Sequence, residues 1–118
     1  MAETTLYDPS GVATAYIADD ASTIYTWDGH AVAYLVDEKV YSWSGRHIGW
    51  FVDGIIFDDS GQRCGYTRER CPVVTSVQPV KSVKSVRSVK SVRSVARVRP
   101  VLSLGTASIR LRELLTSN

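Results

Sequence analysis

Short runs of alternating apolar and polar residues fill the first 71 positions, each bounded by Gly, Asp or Ser. Val32-Ala33-Tyr34-Leu35-Val36 is followed by Asp37-Glu38-Lys39 and then by Val40-Tyr41-Ser42-Trp43. Ile48-Gly49-Trp50-Phe51-Val52 is followed by Asp53-Gly54-Ile55 and then by Ile56-Phe57-Asp58. β-Branched and aromatic residues at a period of two, cut by turn residues, predict β-hairpins. Turns arrive about every eight residues, too often for helices of ordinary length. The hairpins also recur. Glycine returns at Gly11, Gly29, Gly45 and Gly61, in steps of 18, 16 and 16. Five residues after each stands an aromatic (Tyr16, Tyr34, Trp50, Tyr66), and the residue before it is tiny (Ala15, Ala33, Gly49, Gly65). Each turn glycine follows Ser or Asp, which suits a tight turn with positive φ. Four copies of one β-unit predict an all-β fold, a pseudo-four-fold shallow closed barrel over residues 1–71.

The fourth copy lacks its second strand, because Cys64-Gly65-Tyr66-Thr67 runs into Arg68-Glu69-Arg70-Cys71-Pro72. The missing strand lies at the start of the chain. Leu6-Tyr7-Asp8-Pro9-Ser10-Gly11 matches Ile56-Phe57-Asp58-Asp59-Ser60-Gly61. Residues around 4–8 are therefore predicted to pair with the last strand, removing the free edges that template aggregation. Along the strands, Ile17, Leu35, Phe51 and Thr67 share a face with the tiny residues, and Tyr16, Tyr34, Trp50 and Tyr66 take the opposite one. A second aromatic column comprises Tyr7, Tyr25, Tyr41 and Phe57. The eight rings are expected to dominate a small core; the sharper alternative is that Tyr16, Tyr34, Trp50 and Tyr66 line a mouth for a ligand or peptide.

After Pro72 the pattern changes. From Val77 to Val101 a valine recurs at every third position, in six of the eight intervals with a cation and then Ser or Pro between. A period of three fits neither a strand nor an α-helix, but polyproline II would put valine, cation and serine on separate faces. Two readings of this basic segment stay open: low-complexity disorder, or an extended strip with its valines on the barrel and its cations near acids such as Asp19, Asp37 and Asp53. Ile109, Leu111, Leu114 and Leu115 then fall at helical spacing, predicting a short amphipathic helix within 107–116 that packs on the barrel or on a partner. The chain thus divides into a barrel (1–71), a triplet-repeat tail (72–101) and a helical end (102–118).

The net charge of +2 over 118 residues hides a division. Residues 1–71 hold 5 Lys/Arg against 11 Asp/Glu, whereas residues 72–118 hold 9 against 1, so the halves carry −6 and +8. The candidate binding residues follow: Lys81, Lys84, Arg87, Lys90, Arg93, Arg97 and Arg99, with no acid among them, suit an acidic protein, an anionic membrane or nucleic-acid phosphates. An aromatic-free tail offers no base stacking, which argues against sequence-specific nucleic-acid recognition. Asp19, Asp37, Asp53 and Glu69 each lie three residues after a column aromatic and are read as turn residues or, alternatively, as a carboxylate ring for a cation. His30 and His47 are not equivalent in the repeat and have no recurring nucleophile beside them. No phosphate loop, dinucleotide fingerprint or His/Cys cluster is found, so no catalytic residue, cofactor or metal is expected. The start, Met1-Ala2-Glu3-Thr4-Thr5, has no secretory pattern and no run is long enough to span a bilayer; with Cys64 and Cys71 as free thiols, a cytoplasmic location is expected.

The recurring Tyr-x-Trp-x-Gly-x-x-x-(Ala/Gly)-aromatic-(Leu/Phe)-x-Asp, clearest over Tyr25–Tyr66, resembles the four-fold β-flower domain family. The resemblance implies a shallow symmetric barrel with hairpin petals, and the family has no characterised function. Its likeness in shape to tubby-like and scramblase-like lipid-binding barrels is analogy. Thr14 and Thr67 stand at columns that are usually apolar, and serine mostly replaces proline in the tail. The expected function is a non-enzymatic binding module whose tail engages an acidic partner or docks on the acidic barrel. The alternative is an anionic-lipid or nucleic-acid binder.

Overall fold

The structure is a computed structural model that describes residues 3–75, 102, 105–107 and 109–116. Eight antiparallel strands run in chain order around a closed barrel: β1 (Thr4–Tyr7), β2 (Ala13–Ile17), β3 (Thr23–Thr26), β4 (Ala31–Val36), β5 (Lys39–Ser42), β6 (His47–Val52), β7 (Ile55–Phe57) and β8 (Arg63–Tyr66). The N-terminal strand closes the ring, with Tyr7 opposite Tyr66. One short helix, α1 (Leu111–Thr116), follows.

Two kinds of turn alternate around the barrel. At one end Gly11, Gly29, Gly45 and Gly61 all have φ between 83° and 91°. The N–H of each donates to the carbonyl three residues back, as Gly45 does to Ser42 at 2.9 Å. This is a type I turn closed by a left-handed residue, which only glycine adopts without strain. At the other end, Asp37 and Asp53 have φ of 55° and 53°. They open two-residue loops between Val36↔Lys39 and Val52↔Ile55, and a short polar side chain tolerates that geometry.

Each glycine-turn hairpin carries one β-bulge at an equivalent place. The register passes from Leu6↔Ala15 to Tyr7↔Ala13, from Ile24↔Ala33 to Tyr25↔Ala31, from Val40↔Gly49 to Tyr41↔His47, and from Ile56↔Gly65 to Phe57↔Arg63. The extra residues are Thr14, Val32, Ile48 and Cys64. A bulge bends and twists its strand, so four of them shape the petals. Ile48 and Cys64 are buried in the core.

The inside of the barrel is aliphatic, which corrects the expectation of an aromatic core. Leu6, Ala15, Ile24, Ala33, Val40 and Ile56 are fully buried and form one cluster with Leu111, Leu114 and Leu115 of α1. The helix therefore sits inside the barrel. Its leucines, at i, i+3 and i+4, make one apolar stripe. The tiny column leaves room for them, since a Cβ added at Gly65 would lie 2.8 Å from the Leu111 methyls. Eight rings would overfill an interior that also holds a helix, so alternation places them on the outer wall.

Gly49 belongs to the same column but meets backbone rather than a side chain: an added Cβ would overlap the Phe57 carbonyl. Gly49→Ala is expected to lower stability by about 1–3 kcal/mol. Gly65→Ala should cost less, because leucine methyls yield. Urea midpoints measure both, and a neutral Gly49→Ala would mean that β6 and β7 separate easily.

Candidate functional site

Each strand contributes one aromatic ring to the outer wall. Register pairs them as Tyr16↔Tyr25, Tyr34↔Tyr41, Trp50↔Phe57 and Tyr7↔Tyr66. Tyr16 and Tyr25 stack with centroids 5.7 Å apart, and Tyr34 and Tyr41 stack at 5.6 Å, both within the range of favourable ring pairing. Trp27 leans on Tyr16 at 5.0 Å and Trp43 meets Tyr34 edge-on at 5.8 Å. His47 fills the gap between Tyr41 and Trp50, with centroids at 5.2 and 4.5 Å. Its Nε2 is 2.8 Å from the Gly49 carbonyl, which can only accept, so Nε2 carries the hydrogen. The girdle is sealed: all eight rings are between 1% and 5% exposed. Tyr16, Tyr34, Trp50 and Tyr66 do form one row, but they stand outside the barrel and line no mouth. Burial also raises the Tyr66 phenol pKa.

The open end beside the glycine turns is stoppered by α1. The chain reaches it along β8, where the Arg63 N–H donates to the Gly105 carbonyl at 2.8 Å and the Ala107 N–H donates to the Arg63 carbonyl at 2.7 Å. Glu113 accepts from the Arg110 N–H at 3.3 Å, closing the first turn of the helix. Clefts remain on two sides of the stopper. One of about 460 Å³ lies among Asp8, Val12, Trp27, Arg110 and Arg112; another of about 270 Å³ lies among Arg46, Asp58, Ser60, Ile109 and Leu114. Both are shallow and mixed in charge.

Polar side chains three residues before each turn glycine hold these turns, a role the sequence reading missed although the column Asp8, Thr26, Ser42, Asp58 was visible. Asp8 Oδ1 accepts from the Ser10 and Val12 N–H groups at 2.9 and 3.0 Å. Asp58 Oδ1 accepts from Ser60 and Gln62 N–H at 3.0 and 2.9 Å. At the second turn the Thr26 hydroxyl donates to Asp28, which lowers the Asp28 pKa, and exposed His30 lies 3.2 Å from the same carboxylate.

Asp19, Asp37, Asp53 and Glu69 are exposed at the opposite turns. Among the described residues no three His, Cys, Asp or Glu side chains converge on a metal position. The turn reading accounts for these acids. Lys81, Lys84, Arg87, Lys90, Arg93, Arg97 and Arg99 lie outside the described residues.

Cys64 and Cys71 are free thiols, the first fully buried and the second half-buried. Burial, reinforced by the carboxylates of Asp58, Asp8 and Glu113, pushes the Cys64 thiol from 9.0 up to about 12. Above pH 9 the unfolded chain loses this proton while the folded chain keeps it, so the thiol's contribution, complete below pH 9, falls by about 1.4 kcal/mol per pH unit towards 12. Cys64→Val, the residue of the second copy, should remove that decline. Urea unfolding of both proteins at pH 8 and 10.5 tests this; parallel losses would mean that the thiol ionises freely within the fold.

Together these features define a four-fold antiparallel barrel, stoppered by a helix and wrapped by an aromatic wall. The chain belongs to the family described as 4-fold beta flower protein, whose model matches residues 4–115. The matched span takes in the barrel, the triplet segment and α1. No curated protein and no solved structure matches the chain. Among the described residues no helix is long and apolar enough to cross a membrane.

Proposed function

We propose that this chain is a non-enzymatic interaction module of the cytoplasm whose basic segment engages an acidic protein partner. The observation that carries the reading is the division of charge: seven Lys/Arg between Lys81 and Arg99, with no acid, follow a barrel region of net −6. The barrel supports it as a rigid hub, its interior filled by its own leucines and its aromatic wall sealed. The free thiols suit a reducing compartment. An acidic protein is favoured over nucleic acid or membrane because residues 76–101 contain no aromatic residue for base stacking or interfacial anchoring.

The test compares three anionic probes: a poly-glutamate peptide, vesicles rich in phosphatidylserine, and a single-stranded oligonucleotide. Each is titrated with the full chain and with a variant in which Lys81, Lys84, Arg87, Lys90 and Arg93 become Gln. Poly-glutamate is expected to bind the parent at least about tenfold more tightly than the variant at ~0.1 M salt. Preference for vesicles or oligonucleotide, or equal binding by parent and variant, would overturn the reading.

A further inference from the structure

We propose that the open end of the barrel's seam, beside Thr5, is a strand-acceptor site for an extended cationic peptide of a partner protein. The seat differs from the basic segment and the ligand has the opposite charge, so this inference does not rest on the partner reading above.

The argument starts from a break in the four-fold pattern. The junction of β2 with β3 has three register pairs, that of β4 with β5 has four, and that of β6 with β7 has three. The equivalent junction of β8 with β1 has one, Tyr7↔Tyr66. The cause is local. The Thr67 carbonyl accepts from the Arg70 and Cys71 N–H groups at 3.1 and 3.0 Å, which coils the chain after Thr67 into a turn and takes it out of the sheet. Val36↔Lys39 and Val52↔Ile55 pair in the second and third copies, but the corresponding Arg68 and Thr5 do not.

Backbone direction makes this gap a pairing site. The Leu35 N–H donates to the Ser22 carbonyl and the Phe51 N–H to the Glu38 carbonyl, both at 2.8 Å. These bonds flank Thr23↔Tyr34 and Lys39↔Trp50, so Thr23 and Lys39 turn their own N–H and C=O to the opposite neighbour. On that side Thr23 accepts from the Ala18 N–H, and Lys39 pairs with Val36. Thr5↔Tyr16 is the equivalent pair. Thr5 therefore turns both groups away from β2 and into the gap, where among the described residues none pairs with it. The gap is a cleft of about 260 Å³ lined by Glu3, Thr4, Thr5, Tyr7, Arg68 and Glu69. Such an edge is a template for an incoming strand, whose main chain supplies affinity and whose alternate side chains supply specificity.

The molecule already uses this mode at the other end of the same seam. There the backbone of Arg63, on the side of β8 that faces β1, exchanges bonds with Gly105 and Ala107, and Thr106 lies parallel to it. One residue offering both its N–H and its C=O is enough to seat an extended segment. Charge then selects the occupant. Two of the three charged residues lining the cleft are acids, and the same rim exposes Asp19, Asp37 and Asp53. A strand with Lys or Arg at alternate positions meets this field favourably. A second copy paired edge to edge through β1 would bring two acidic rims together, so a cationic partner is the better fit.

The experiment titrates the full chain with a capped pentapeptide of alternating lysine and valine at ~0.15 M salt, followed by amide NMR and hydrogen exchange. The largest shifts are expected at Thr5 and the residues beside it, with exchange of the Thr5 amide slowed at least about tenfold. N-methylating alternate peptide amides should abolish binding in one phase and leave it in the other, because only one edge of the peptide pairs. A glutamate–valine peptide should bind at least about tenfold more weakly. Thr5→Pro removes the outward N–H, a change that edge strands accept, and should weaken binding by a similar factor while the melt stays cooperative. Equal binding of the two N-methylated peptides, or shifts confined to residues away from β1, would overturn the proposal. So would a Thr5 amide already protected before peptide is added, which would show that the chain covers this edge itself. The N-methyl comparison decides the matter even where Thr5→Pro fails to fold. Thr5→Pro leaves Lys81–Arg99 untouched, so strand pairing and poly-glutamate binding fail separately.

Discussion

Replacing Leu111 and Leu115 together by alanine is expected to abolish the native barrel at room temperature. Both side chains are fully buried in the interior cluster. A buried Leu→Ala change costs about 2–5 kcal/mol, and the pair approaches or exceeds the whole stability of a small domain, about 5–15 kcal/mol. The loss would be near the upper end here, because Ala15 and Ala33 carry only a methyl group and Gly65 no side chain, so little can collapse into the void. Near-ultraviolet circular dichroism and a urea melt measure it. Leu111→Met, which keeps the volume, should retain a cooperative transition, so a general intolerance of the helix can be told apart from loss of the stopper. A double alanine variant that melts like the parent would place α1 outside the barrel.

Deleting residues 1–10 is expected to remove cooperative unfolding altogether. The deletion takes away Leu6 and Tyr7, both sealed, and opens the seam at Tyr7↔Tyr66. It leaves β2 and β8 as bare edges, and exposed edges recruit other chains. The expected signature is a broad thermal transition with concentration-dependent light scattering. A sharp, reversible melt after the deletion would mean that β2 and β8 can close the ring without β1.

Much of this fold was legible in the chain because its determinants are local and repeated. The glycines that open each copy need positive φ, and all four have it. The truncated fourth copy and the matching N-terminal segment implied closure, and β1 supplies it. Asp37 and Asp53 were legible as turn residues, and the loops they open are two residues long, one shorter than the connections the sequence pattern suggests. The aromatic columns were equally plain, but a period of two says only that two faces exist. It does not say which one is inside. Size favoured the rings, and the preference was mistaken because the helix claims the interior.

The candidate site was legible in part. The row Tyr16, Tyr34, Trp50, Tyr66 exists, but as an outer wall rather than a mouth. The turn-holding column Asp8, Thr26, Ser42, Asp58 escaped notice because its residue types differ: Asp8, Ser42 and Asp58 accept backbone N–H groups directly, whereas Thr26 donates to Asp28, which accepts the His30 N–H. His47 could not have been placed at all, since neither the bulge at Ile48 nor the gap between Tyr41 and Trp50 is written in any local pattern.

The amino-acid order alone settled the strand count, the turn chemistry, the ring closure and the separation of charge, all consequences of short-range sterics and periodicity. The inside and outside of that ring were decided only when the chain was assembled. A tiny-residue column creates a void, and residues some fifty to a hundred positions away in the chain supply the leucines that fill it. Packing density couples these two distant features, and no window along the sequence contains both.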